Sequence, residues 1–195
     1  MAIVNSYTRI MPTPDRTSLD AIVLAAADLL EQSGLAGVTM QAVAQRVGVR
    51  APSLYKRVPS RDRLIQLVAE TTITELAGRL DAAVGPVELA NALRAIGHER
   101  PAAFQLIMTP GPGVPAVGDE FVRAASAAIL RVADELAGEE HALEAARTLT
   151  AWAAGFISME LNGGFNLGGN VESAWEYGVD RIVMAITATR EAPVG

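Results

Sequence analysis

The sequence predicts an all-α protein of about nine helices, and three observations carry the prediction. Apolar residues recur at spacings of three and four through most of the chain, the period of a helix with one buried face. No stretch alternates apolar and polar residues in the convincing way a half-buried strand requires. Ser, Thr, Gly and Pro stand where such helices would begin and end.

The elements follow in order. Residues 1–17 read as a flexible arm, because Pro12 and Pro14 block a continuous helix. Ser18 is placed to cap a first helix with Leu19, Ile22, Val23, Ala26, Leu29 and Leu30 inward, and Gly34 marks its stop. Thr39 caps a second, whose apolar face is Met40, Val43, Ala44 and Val47 and which ends at Gly48. A very short helix is expected around Pro52 to Arg57. Pro59 breaks the chain, and Ser60 caps a long helix with Leu64, Leu67, Val68, Thr71, Leu76 and Leu80 inward. Gly85 and Pro86 close it, and shorter helices are expected over about 87–99 and 101–109.

Three prolines and two glycines in residues 110–115 suit neither a helix nor a central strand, so this stretch is a loop. Three long helices complete the chain. The first runs over about 117–137 with Phe121, Val122, Ala125, Ile129, Val132 and Leu136 inward. The second covers about 139–161 with Leu143, Ala146, Leu149, Trp152, Phe156 and Met159, and the third about 171–190 with Trp175, Val179, Ile182, Val183 and Ile186. A glycine-rich stretch, 162–169, separates the last two.

Composition narrows the function. The 195 residues are 50% apolar and 19% charged, with a mean hydropathy of +0.26; a disordered tail is far more polar. No window reaches the ~18 uninterrupted apolar residues of a membrane span, and the N-terminus lacks the apolar segment of a secretory signal. A cytoplasmic location is therefore expected. The chain has no cysteine, which removes disulfides, thiolate zinc sites and a cysteine nucleophile together. Charge is unevenly shared. Residues 1–65 hold eight basic and five acidic side chains, net +3, whereas the remainder holds eight and seventeen, net −9. A basic head on an acidic body suits a polyanion-binding module joined to something else.

The informative segment is 39–57. It reads as two short helices joined by a tight turn at Gly48, a residue free to take the left-handed conformation such a turn needs. Val43, Ala44 and Val47 of the first helix can pack on Leu54 of the second, and small Ala44 lets the two axes approach. The second helix carries Arg50, Ser53, Tyr55 and Lys56, donors suited to phosphates and base edges, on a helix too short to be a core element. This is the helix-turn-helix arrangement, whose second helix enters the major groove.

On these residues the segment 18–65 resembles the DNA-binding domain of the tetracycline-repressor (TetR) family of bacterial regulators. The family pattern has a Thr capping the second helix, Ala-x-x-x-Gly-Val into the turn, Leu-Tyr in the reading helix and a Ser-Lys-like start to the fourth helix. Here these are Thr39, Ala44 with Gly48-Val49, Leu54-Tyr55, and Ser60-Arg61-Asp62. Arg50 stands at the usual Ser/Thr cap position, Lys56 at a frequent His and Val58 at a frequent Phe. The resemblance implies that Thr39, Tyr55, Lys56 and Arg61 hold phosphates. It implies that Arg50, Ala51 and Ser53 face base edges, with Arg50 suited to guanine.

Segments 99–108 and 150–164 resemble one subgroup of this family's C-terminal regulatory domains. The resemblance implies a homodimer in which a helix pair packs against its copy, and a domain division into a head over 18–65 and an effector-binding and dimerisation body over 66–195. The last two helices carry more apolar surface than one layer of a monomer hides, Trp152 and Trp175 among it, so the interface is expected there. The resemblance also implies a small-molecule effector pocket, for which Phe104, Gln105, Met108, Phe121, Trp152, Phe156 and Met159 are the candidates, the loop 110–115 acting as its lid. The same residues equally suit an ordinary core. The negative body favours an apolar effector that is neutral or cationic. No cofactor or metal is expected, and no enzymatic constellation is recognisable: His141 with Glu140 and Glu144, and His98 with Glu99, suit helix ends better than metal binding or catalysis. The resulting expectation is a repressor on a palindromic operator in duplex DNA, released by its effector. An activator or a protein-recruiting module of the same fold remains open.

Overall fold

The computed structural model describes residues 18–191, with side chains through residue 188. The arm expected over 1–17, with Arg9 and Arg16, lies outside the described residues. The described chain forms α1 (Leu19–Gly37), α2 (Met40–Val47), α3 (Ala51–Tyr55), α4 (Arg61–Ala82), α5 (Gly85–Glu99), α6 (Pro101–Met108), α7 (Asp119–Ala137), a 3-10 turn (Glu139–His141), α8 (Ala142–Leu161) and α9 (Val171–Glu191). There is no strand among the described residues, and no described helix is long and apolar enough to cross a membrane.

The starts are set by local chemistry. The first turn of a helix leaves N–H groups without partners, and a side-chain oxygen just ahead of it accepts one. Ser18 accepts from the Ala21 N–H at 3.2 Å, Thr39 from Ala42 at 3.1 Å and Ser60 from Arg63 at 3.1 Å. Asn170 does the same for α9, accepting from Glu172 and Ser173 at 2.8 and 3.2 Å. The stop expected at Gly34 is a kink instead. Gly34 adopts φ 65° and ψ −175°, and the chain makes a further turn to Gly37.

Packing divides along α4. In the head, Ile22, Ala26 and Leu30 of α1 meet Val43 and Ala44 of α2, Leu54 of α3 and Leu64, Ile65 and Val68 of α4. In the body, Leu76 and Leu80 of the same helix meet Leu89 and Leu93 of α5, Val132 of α7, Ile157 of α8 and Trp175 and Val179 of α9. The head's core also draws in Ala103 and Leu106 from α6, well beyond residue 65.

Several inward assignments change. Thr71 is exposed and Thr72 is buried, its hydroxyl donating to the Val68 carbonyl at 2.9 Å. Leu19, Val122, Leu143 and Met159 are exposed; Leu143 and Met159 border a groove between α7 and α8 instead of entering the core. Trp175, expected at a subunit interface, is 1% exposed inside the monomer. Its indole N–H donates to Asn91 Oδ1 at 2.8 Å and its ring stacks on Trp152, centroids 5.1 Å apart. A buried indole needs such a partner, so this tryptophan is committed to the body's core.

Candidate nucleic-acid interface and effector region

The turn between α2 and α3 is built on Gly48, at φ 76° and ψ 34°. A side chain would strain that conformation. The Gly48 N–H donates to the Gln45 carbonyl at 3.1 Å and the Val49 N–H to the Ala44 carbonyl at 2.9 Å, closing α2 before the chain swings into α3. Leu54, fully buried, pins α3 onto α2. Leu54 is the buried anchor of the short helix, Ala51 packs partly beside it, and Pro52, Tyr55 and Lys56 face outward.

Arg50, Tyr55 and Lys56 are exposed, Tyr55 by 52%. Arg50 takes the cap position of α3 with extended backbone, φ −85° and ψ 144°, and makes no side-chain cap bond. Ser53 is half-buried, and Ala51 packs partly against the head's core. Thr39 is exposed at the start of α2, its hydroxyl already accepting the cap bond. Arg61 is the exception. Its Nε donates to the Val38 carbonyl at 2.7 Å and its Nη2 to the Leu35 carbonyl at 2.6 Å, so the guanidinium ties the start of α4 to the end of α1.

Two positioning residues carry no signal in the sequence pattern. Arg46, on α2, donates to Gln32 at 2.8 Å and to Asp28 at 3.1 Å on α1. Glu31, also on α1, accepts from the N–H groups of Ala102 and Ala103 at 3.0 and 2.8 Å. Their partners lie 14 to 72 residues away, beyond any local periodicity.

The seven effector candidates do not share one cavity. Phe104, Gln105 and Met108 border a cleft of about 240 Å³ together with Glu31, Ala154 and Ser158; Phe104 itself is 2% exposed. Trp152 lines a void of only about 20 Å³ between α5, α7, α8 and α9, which holds a water at most. Met159 borders an open groove of about 940 Å³ between α7 and α8, with Met108, Leu130 and Leu143. Phe156 packs among aromatics, 4.6 Å from Phe165 and 5.2 Å from Trp175 between centroids. Phe121 is half-buried at the start of α7 and borders none of these spaces. The loop expected as a lid lies partly against the head, where Val114 packs on its core.

A three-helix head with an exposed short helix, joined by one long helix to a helical body, is the build of a helix-turn-helix transcriptional regulator. Residues 22–68 match the model of bacterial regulatory proteins of the tetR family, and residues 87–182 match that of the tetracyclin repressor-like C-terminal domain. The chain belongs to the TetR family of transcriptional regulators. It is 30% identical over 168 residues to the uncharacterized HTH-type transcriptional regulator Rv0681 of Mycobacterium tuberculosis, covering 77% of this chain and 73% of that protein. Among solved structures it resembles SCO4313, with a TM-score of 0.72 and 25% identity over 84% of this chain and 93% of that one. It also shares the fold of a TetR from Acinetobacter baumannii AYE solved with minocycline, with a TM-score of 0.63 and 18% identity over 90% of this chain and 99% of that one.

Proposed function

We propose that the protein is a homodimeric repressor that binds a palindromic operator in duplex DNA and is released by a small-molecule effector. The observation that carries this reading is α3, a five-residue helix anchored through Leu54 and presenting Arg50, Tyr55 and Lys56 outward. Tyr55 and Lys56 hold phosphates, with Thr39 and Arg61 at the ends of the neighbouring helices, and Arg50 reads a base edge beside Ala51 and Ser53. The head's cations raise the local concentration of DNA, and the acidic body keeps the duplex at the head.

Two heads related by a two-fold axis read two half-sites, which makes the operator palindromic. The dimer forms on the last two helices. On α8 the exposed side offers small Ala151 and Gly155 between Leu143 and Met159, and α9 exposes Tyr177 and Met184. The effector is an apolar molecule, neutral or cationic, bound in the body at the α6–α8 side. It favours a head separation that no longer spans successive major grooves, so effector and DNA weaken each other's binding equally.

Selection of bound sequences from a random duplex pool tests the reading, followed by titration of the selected duplex against ionic strength. A palindromic consensus and a steep loss of affinity with salt are expected. Equal affinity for every duplex, or sedimentation as a 20.5 kDa species, would overturn it.

A further inference from the structure

The helix α6 belongs to both halves of the molecule. Ala103 and Leu106 are buried in the head's core, while Phe104, on the opposite side of the same two turns, is buried in the body's. The following loop goes with the head, since Val114 and Val117 pack against that core. The first turn of α6 is also gripped from the head: both carboxylate oxygens of Glu31 on α1 take its main-chain N–H groups, Ala102 at 3.0 Å and Ala103 at 2.8 Å. These donors have no partner within the helix, and Pro101 at its start has no N–H to offer. A carboxylate there also meets the positive end of the helix.

The same corner is tied to α4. Arg100, just ahead of α6, lies 3.0 Å from Glu75, and Arg79 donates to Glu75 and Glu99 at 2.8 and 2.6 Å. Glu31 further borders the cleft of about 240 Å³, whose other walls are Phe104, Gln105 and Met108 of α6 and Ala154 and Ser158 of α8. A molecule wedged in that cleft therefore presses on α6 beside the carboxylate that fixes α6 to α1.

We propose that Glu31 is the coupling residue between body and head: its carboxylate clamps the first turn of α6 to α1, so that displacement of α6 from α8 carries α1, with α2 docked on it and α3 docked on α2. The inference deepens the effector-responsive reading and rests on it for its biological purpose, but the mechanical link is testable without DNA or effector. A group that only capped α6 would lower local stability; a coupling group also decides whether the head answers a change at α8.

The experiment reads amide hydrogen exchange in the full chain, over residues 101–108 and over 19–55. Glu31→Gln alone should speed exchange at Ala102 and Ala103 about fivefold, as expected for a weakened cap, and raise exchange in the second half of α1. Ala154→Phe, placed to fill the cleft from α8, serves as a stand-in occupant, with Ser158→Leu as the alternative should it fail to fold. In a chain with Glu31 intact, filling the cleft should raise exchange in both segments. With Glu31→Gln added, α6 should still respond and the head should not.

An unchanged α6 in Glu31→Gln overturns the proposal. So does a head that answers the filled cleft equally well without the carboxylate, or one that loses its answer in Glu75→Gln instead, which would route the coupling through α4. Duplex binding by the same samples reports on the regulator reading separately: no bound duplex with the exchange pattern intact would count against that reading and support the coupling.

Discussion

The Arg94 guanidinium grips the Glu160 carboxylate through two hydrogen bonds, 3.0 Å from Nε and 2.6 Å from Nη2. Its remaining Nη1 reaches Glu172 at 2.8 Å, and its Cζ lies over the Trp175 ring, 5.0 Å from the centroid. One cation from α5 thus joins α8 and α9 while covering the indole between them. The two-pronged grip on Glu160 requires arginine rather than lysine.

The pair makes the body sensitive to acid. The hydrogen bonds from Arg94 hold the Glu160 carboxyl below the usual carboxylate range, against the opposing effect of burial. A folded-state value below the unfolded one stabilises the protein above the ordinary carboxylate range, and that contribution is lost as pH falls through the lowered value. Glu160→Gln should lower the Tm at neutral pH, and the gap from the unaltered protein should close as pH drops below the carboxylate range. Thermal unfolding across pH 2–7 checks this; a gap of constant size would assign the loss to packing instead.

Gly97 of α5 and Gly178 of α9 have no room for a methyl group against the body's core. A Cβ at Gly97 would fall 2.6 Å from Ile157 Cγ2, and one at Gly178 would strike the edge of the Trp152 indole. Alanine is the better helix former by ~1 kcal/mol, but overpacking a filled core costs about 1–3 kcal/mol. Gly97→Ala should therefore destabilise, whereas Gly78→Ala, with no atom within 4 Å of the added carbon, should stabilise by roughly 1 kcal/mol. Urea unfolding of the two variants side by side decides it.

Arg61 should prove structural as well as electrostatic. Its bonds to the Leu35 and Val38 carbonyls close the end of α1 against α4, and losing them removes a charged donor from both, the Leu35 carbonyl keeping the Val38 N–H at 3.3 Å. Arg61→Ala should lower the Tm of the free protein as well as its affinity for every duplex. An unchanged Tm with weakened DNA binding would make it a phosphate contact alone.

Lys56→Ala and Arg50→Ala should separate positioning from reading. The first should weaken binding to all duplexes and reduce the salt slope by about one unit. The second should cost about 1–3 kcal/mol at the selected site and relax its base preference there. Fluorescence anisotropy with the selected and a scrambled duplex distinguishes them; equal losses on both for Arg50→Ala would place that side chain on phosphate.

What the sequence discloses here is what neighbouring residues decide. The caps at Ser18, Thr39 and Ser60 are bonds to a residue three positions on, and Leu54 under the turn follows from the spacing within a single helical hairpin. Gly34 is recognisable as a break, though not as a kink with another turn beyond it. The body is harder. Phe104, Trp152 and Met159 all carry the helical period of inward residues, and the period cannot tell a core from a wall of a cleft. Trp175 is consigned to the core by Asn91, 84 positions away. Arg61, legible as a cation ahead of a helix, is turned toward carbonyls whose positions depend on the kinked end of α1.

Lys56 is the sole lysine of the chain, and it is exposed at the end of α3. Amine-selective chemistry therefore has one side-chain target, next to Tyr55. A dye installed there would sense approach of a duplex directly, with the α-amino group as the sole competitor for the reagent. Acetylation at that nitrogen would erase a positive charge from the presented helix at one stroke.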